Sequence, residues 1–174
     1  DLHSLPTDLL PLTEIFGRAL LETGTDKEDF VKLSQRIGKN TGGIHSSAIT
    51  ATTLNTRQSV AKFVLRGKAT VPQAPELLNI LKDVLLHANL DNRERLKQIV
   101  LEEKADMESA LVPSGHGFVN QRLRAMYTES GWAQDQMSGI GYLIALRELA
   151  ADIDKRWKSV LKRLKAIRET LINR

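Results

Sequence analysis

The 174-residue chain contains no cysteine. That excludes a disulfide framework, a thiol nucleophile and any Cys-ligated zinc, and it suits a reducing compartment. Aromatic residues make up only 5 %, too few for a surface of base-stacking platforms. No apolar run is longer than a few residues, so no transmembrane helix is available. No charged-then-apolar-then-small pattern marks a secretory signal at the N-terminus, and the first residue is Asp1 rather than Met. Internal repeats and low-complexity linkers are missing as well. What remains is a globular composition, 41 % hydrophobic and 26 % charged, with a net charge of +4.

That charge is not spread evenly. Residues 152–174 hold eight Lys and Arg against three acids, which leaves residues 1–151 at −1. The basic character therefore belongs to one terminal segment. There Ile153, Trp157, Val160, Leu161, Leu164, Ile167 and Leu171 recur at helical spacing and predict an amphipathic helix over 152–172. Three readings of it stand: a solvated face over a core stripe, a membrane-surface helix, or a nucleic-acid contact.

At the other end, Thr7 or Asp8 is expected to cap a helix whose apolar face is Leu9, Leu12, Ile15, Phe16, Ala19 and Leu20, with Pro11 in its first turn and Gly24 at its end. Thr25-Asp26 is expected to cap a second helix that breaks at Thr41-Gly42-Gly43. The period then changes to two. Residues 46–54 and 60–66 read as strands joined by a turn at 55–59, a hairpin within 46–68. Helices follow over 76–88, from a cap at Asp91 or Asn92 through Leu111, from beyond Pro113-Ser114-Gly115-His116-Gly117 to about Tyr127, and over 142–150. Gly131-Trp132 and Gly139-Ile140-Gly141 read as punctuation. The fold class is α+β: an α+β part over 1–90 and a helical part over 91–174. Two strands alone make a marginal sheet, so the sheet reads as incomplete, with an open edge for a further strand.

Most of the familiar site chemistry is absent. His3, His45, His87 and His116 have no zincin spacing in either direction, and no G-x-S-x-G elbow surrounds a serine. Gly38-Lys39-Asn40-Thr41 and Gly67-Lys68-Ala69-Thr70 lack the remaining residues of a phosphate loop and read as turns. The segment Ser114-Gly115-His116-Gly117 is the most site-like. Its glycines either leave the His116 imidazole free beside a ligand or simply break two helices. Arg122 and Arg124 could meet a peptide carboxylate or could be solvated helix charges. Trp132 and Trp157 read as core or interface anchors.

Seven stretches, in order, resemble a known family. They are Leu5-Pro6-x-x-Leu9-Leu10-Pro11-Leu12, Thr41-Gly42-Gly43-Ile44, Arg95-Leu96-Lys97-Gln98, Lys104-Ala105-x-Met107-Glu108, Ser114-Gly115-His116-Gly117, Gly131-Trp132-x-x-x-Gln136-Met137-x-Gly139-Ile140-x-Tyr142-Leu143 and Ile167-Arg168-x-x-Leu171. The chain resembles the presequence proteases, a branch of the pitrilysin/insulinase-type zinc peptidases. The resemblance implies a zinc metalloendopeptidase that degrades unfolded or targeting peptides in a closed chamber built from four α+β domains. It implies that zinc is bound by an N-terminal domain outside this chain, and that the chain is most of the third, peptidase-associated domain.

It also implies partners, namely the remaining domains of the same polypeptide and unfolded peptide substrates, with no nucleic acid and no membrane. The location implied is the cytoplasm of a bacterium or the organelle matrix of a eukaryote, not the secreted space. No catalytic or metal-binding residue is expected here. Gly115, His116, Gly117 and Arg122 are the expected contacts to the chamber, and neither Tyr127 nor Tyr142 lies in the family's Arg/Tyr motif. The alternative is a stand-alone interaction module that uses the open sheet edge or the basic helix; a third reading is an inactive paralogue.

Overall fold

The N-terminus is wound more tightly than its periodicity predicts. In the computed structural model, which describes residues 1–172, Leu2–Ser4 and Thr7–Leu12 are 3-10 turns, and helix α1 (Thr13–Glu22) starts only after Pro11. Thr7 and Asp8 therefore do not cap an α-helix, and Pro11 lies ahead of α1. Pro11 has no N–H to give the Thr7 carbonyl, so α geometry cannot run through it. The apolar residues Leu9, Leu12, Ile15, Phe16, Ala19 and Leu20 are buried all the same. Gly24, at φ +83°, ends this stretch as expected.

Helix α2 (Phe30–Asn40) is capped by Asp29, not by Thr25-Asp26; the Asp29 carboxylate accepts the Lys32 N–H at 2.9 Å. The Thr25 hydroxyl instead receives the N–H groups of Lys27 and Glu28. Gly43, at φ +108°, turns the chain straight into β1 (Ile44–Thr52), ahead of the expected start at 46. Strand β2 (Ser59–Gly67) pairs with it antiparallel, from Ile44 opposite Gly67 to Thr52 opposite Ser59. The connection is 53–58, with Arg57 at φ +54°, so Leu54 is an exposed turn residue rather than the end of a strand.

After a 3-10 turn (Val71–Gln73) come α3 (Ala74–His87) and α4 (Arg93–Ala110), the latter capped by Asn92. Then follow α5 (Gly115–Ala125), α6 (Glu129–Ser138), α7 (Ile140–Lys155) and α8 (Trp157–Leu171). Several boundaries differ from expectation: α5 begins at Gly115 rather than beyond Gly117, and α7 begins at Ile140, so Ile140 and Gly141 lie inside a helix. Gly131-Trp132 lies inside α6, because the Thr128 hydroxyl caps the Gly131 N–H at 3.0 Å and the glycine fits against the Arg124 carbonyl. The last break falls at Arg156 rather than near 151, so Ile153 belongs to α7.

The result is an α+β fold, a two-stranded antiparallel sheet packed with helices. Helix α1 crosses the inner face of the hairpin at Gly17, whose missing side chain leaves room for Ser46, and Phe16 meets Phe63 with ring centroids 5.8 Å apart. The larger core cluster joins Phe16 and Leu20 to Leu96 and Ile99 of α4, Tyr142 and Leu146 of α7, and Val160, Leu164 and Ile167 of α8. A smaller one unites Leu33, Ile44, Ile80 and Val84. The apolar stripe of α8 is therefore core, and its lysines at 158, 162 and 165 are exposed.

The phase of the hairpin decides which backbone groups lie at its edge. Thr53 donates to the Gln58 carbonyl (2.9 Å) and Lys68 to the Gly43 carbonyl (3.3 Å), so odd-numbered residues of β1 face β2. Even-numbered residues turn their backbone groups outward, and no strand covers them among the described residues. One of these groups is occupied: the Ala48 N–H donates to the Glu14 carboxylate at 3.3 Å. Burial pushes the Glu14 carboxyl above the ordinary range, the Ala48 N–H pulls it back down, and the Glu103 charge adds to the rise.

Candidate functional site

Gly115, His116 and Gly117 form the first turn of α5, not a loop between helices; the loop proper is 111–114. His116 is exposed, and a Cβ at either glycine would meet nothing within 4 Å. The glycines therefore answer to no crowding inside the chain. Arg122, one turn and a half further on, reaches α6, where its Nη1 lies 2.6 Å from Asp135 Oδ2. Its partner is the chain's own carboxylate. Arg124 instead lines a cleft of about 620 Å³ between α5, α6 and the end of β1, together with Thr50, Gly117, Asn120, Gln121 and Tyr127.

Helix α5 has no buried residue at all. Polar bonds hold it to α6: Gln121 donates to the Gln134 carbonyl and to Ser138 Oγ, both at 3.0 Å, and Arg122 pairs with Asp135. The larger apolar groups of α5 and of the two residues after it stay largely exposed. Val119, Leu123, Met126 and Tyr127 are 51–82 % exposed. His116, Val119, Asn120 and Leu123 fall at i, i+3, i+4 and i+7, so they share one face. A second groove of about 350 Å³ runs between Leu111, Phe118, Val119, Leu123 and Ile140. The amphipathicity of α5 is thus turned outward, the pattern of a surface that meets something else.

Asp135 is the site residue that the sequence reading missed. It is fully buried, its Oδ1 has no hydrogen-bond partner among the described residues, and Gly139 and Gly141 pack against it. The available signal was an acid between Ala133 and Met137 on the buried side of a helix, followed by two glycines that leave it room. Tyr142, also buried, has a hydroxyl without a partner among the described residues, and burial drives its pKa far upward.

Residues 1–149, which include all of α5 and α6, match the sequence profile of the family described as peptidase M-16C associated. The chain belongs to that family. It is 36 % identical over 174 residues to presequence protease 1, chloroplastic/mitochondrial, of Arabidopsis thaliana, covering all of this chain and 16 % of that protein. It is 28 % identical over 173 residues to protein HypA of Clostridium perfringens, covering 99 % of this chain and 18 % of the relative. Against the mitochondrial presequence protease of Yarrowia lipolytica the figures are 26 % over 157 residues, 90 % and 16 %. The chain thus spans less than a fifth of each of these relatives.

In this member of the peptidase-associated family, no three His, Cys, Asp or Glu side chains converge to hold a metal ion among the described residues. Zinc therefore does not fit the residues present. His3 pairs with Asp1 and His87 with Asp26, each with one carboxylate. Among the described residues, no helix is long and apolar enough to cross a membrane.

Proposed function

We propose that this chain is a non-catalytic segment of the wall of a peptidase chamber, in a parent zinc endopeptidase that degrades unfolded or targeting peptides. The observation that carries this reading is α5, a helix without a buried residue that leaves Val119 and Leu123 exposed, followed directly by the exposed Met126 and Tyr127. Such a face is costly in water, by about 25 cal/mol for each Å² of apolar surface, and is stabilised once another surface covers it. In this reading α5 and the open edge of β1 are where the chain meets the remaining domains, and Gly115, His116, Gly117 and Arg122 lie at the margin of the peptide chamber. Zinc would be held by residues outside this chain. The parent would work in the cytoplasm of a bacterium or the matrix of an organelle.

The wall acts by enclosure. A closed chamber excludes folded proteins by size and holds an extended peptide in one orientation, lowering the entropy lost on the way to the reacting geometry. The test is direct. The 174-residue chain is expected to bind no stoichiometric zinc and to cleave no unfolded peptide, while the full-length reading frame is expected to carry H-x-x-E-H upstream. Zinc-dependent hydrolysis by the chain alone would end the proposal. A full-length frame without any such motif would favour the second reading, an interaction module whose unpaired β1 edge takes a strand from a partner. Broken ligands at that motif would mark an inactive paralogue.

A further inference from the structure

Two short stretches far apart in the chain meet at one place. Gly38-Lys39-Asn40-Thr41 closes α2, and Gly67-Lys68-Ala69-Thr70 leaves β2. The Gly42 N–H donates to the Lys68 carbonyl at 2.7 Å, and the Lys68 N–H donates to the Gly43 carbonyl at 3.3 Å. Together with Gln73 they wall a cleft of about 440 Å³ in which no acidic residue takes part.

Two carbonyls near the end of α2 and the nearest acid of α3 already have partners. The Ile37 carbonyl, at the end of α2, receives the Thr41 N–H (3.0 Å) and the Thr41 hydroxyl (2.8 Å). The Arg36 carbonyl receives the Asn40 amide at 2.8 Å. Glu76, in the first turn of α3, is held by Arg36 at 2.7 Å. Lys39 and Lys68 make no ion pair among the described residues. The stem of Lys68 lies across Gly42, where a Cβ would come within 2.9 Å of it, so the position of this lysine is partly set by packing. Thr70 precedes the 3-10 turn without spending its hydroxyl on a cap.

We propose that this cleft binds an oxyanion, supplied by the carboxylates of an acidic peptide segment or by free phosphate. Lys39, Lys68, Thr70 and Gln73 border one cleft whose lining includes no acid, and charge-assisted bonds to an oxyanion are the stronger kind. The volume lies in the range of sites that hold more than a single small ion, about 300–1,000 Å³, which leaves room for a peptide carrier. Anion binding here is independent of the peptidase reading.

The test uses the 174-residue chain, with oligoglutamate, oligoglutamine of equal length and inorganic phosphate as probes in fluorescence or calorimetric titrations. The variant Lys39→Gln/Lys68→Gln keeps both aliphatic stems, and its circular dichroism should match the parent chain. A charge-matched control, Lys158→Gln/Lys162→Gln, removes two exposed cations from α8. Oligoglutamate is expected to bind and oligoglutamine not to bind, with affinity about tenfold weaker in the cleft variant and unchanged in the control. Binding of phosphate alone, lost in the same variant, would assign the free ion as the source. Failure of both anions to bind, or an equal loss in the α8 control, would overturn the proposal.

Discussion

Gly17 is the position where a single methyl group decides the sign of an effect. Alanine there gains about 1 kcal/mol of helix propensity over glycine. Its Cβ, however, would run into the Ser46 side chain and sit 3.2 Å from the Phe63 ring. Overpacking a filled site costs about 1–3 kcal/mol, so the loss wins. Gly17→Ala is expected to lower the urea midpoint, and a raised midpoint would mean that β1 gives way easily.

Two carboxylates at the same scale respond to pH in opposite directions. The Lys27 ammonium, with Arg36, holds the Asp83 carboxyl below the usual range. Its stabilisation is present at neutral pH and is lost as pH falls through that lowered value. Asp83→Asn should therefore be less stable than the parent chain near pH 7, with the gap closing on acidification. Glu14 is the reverse case, because burial raises its carboxyl. Its contribution is lost as pH rises through the raised value. Glu14→Gln retains an acceptor for the Ala48 N–H and should be more stable than the parent chain at neutral pH and equal to it in acid. Denaturation curves at two pH values check both substitutions.

At the scale of elements, α5 differs from every helix around it. Local stability follows buried contacts, and α5 has no buried residue, whereas α4 buries Leu96, Ile99 and Val100. Amides of α5 are expected to exchange with solvent faster than those of α4 and α7 in the chain by itself. Leu123→Glu should change the stability of the chain by no more than about 0.5 kcal/mol, as exposed substitutions do. Leu96→Ala should cost about 2–5 kcal/mol. A large loss from Leu123→Glu would show that the outward face is already covered within the chain. The apolar residues of α5 were legible in the sequence, but their direction was not. Periodicity groups Val119 with Leu123 without saying which side of the helix the neighbours take, and Gln121 and Arg122 claim the side against α6.

Across the whole molecule the two ends of the chain are tied together. Val160, Leu164 and Ile167 of α8 share one core with Leu2, Leu9 and Phe16, and the Arg168 guanidinium donates to the Ala88 carbonyl at 3.0 Å. Leu164→Ala should lower the melting temperature through a cost of about 2–5 kcal/mol, read by calorimetry as one transition. Two separate transitions would mean that α8 unfolds apart from the rest. The basic surface of α8 is then the solvent side of a core helix, and the net charge of +4 records which side of that helix faces water.

The sequence by itself determined the α+β class, the hairpin, the core positions of α1 and α8, the stop at Gly24 and a cap at Asp91 or Asn92, of which the structure uses Asn92. Each of these depends on near neighbours, through periodicity or a side chain beside its own backbone. The boundaries that differed depended on neighbours as well, but on stereochemistry that apolar spacing does not show: Pro11 winds 7–12 into a 3-10 turn, and Asp29 outcompetes Thr25-Asp26 as a cap. Only the tertiary structure decided that Asp135 is buried against Arg122, that Glu14 occupies the β1 edge, that α5 faces its apolar groups outward, and that Lys39 and Lys68 border one cleft. These pairings join residues 13 to 34 positions apart, and chain folding rather than local spacing brings them together.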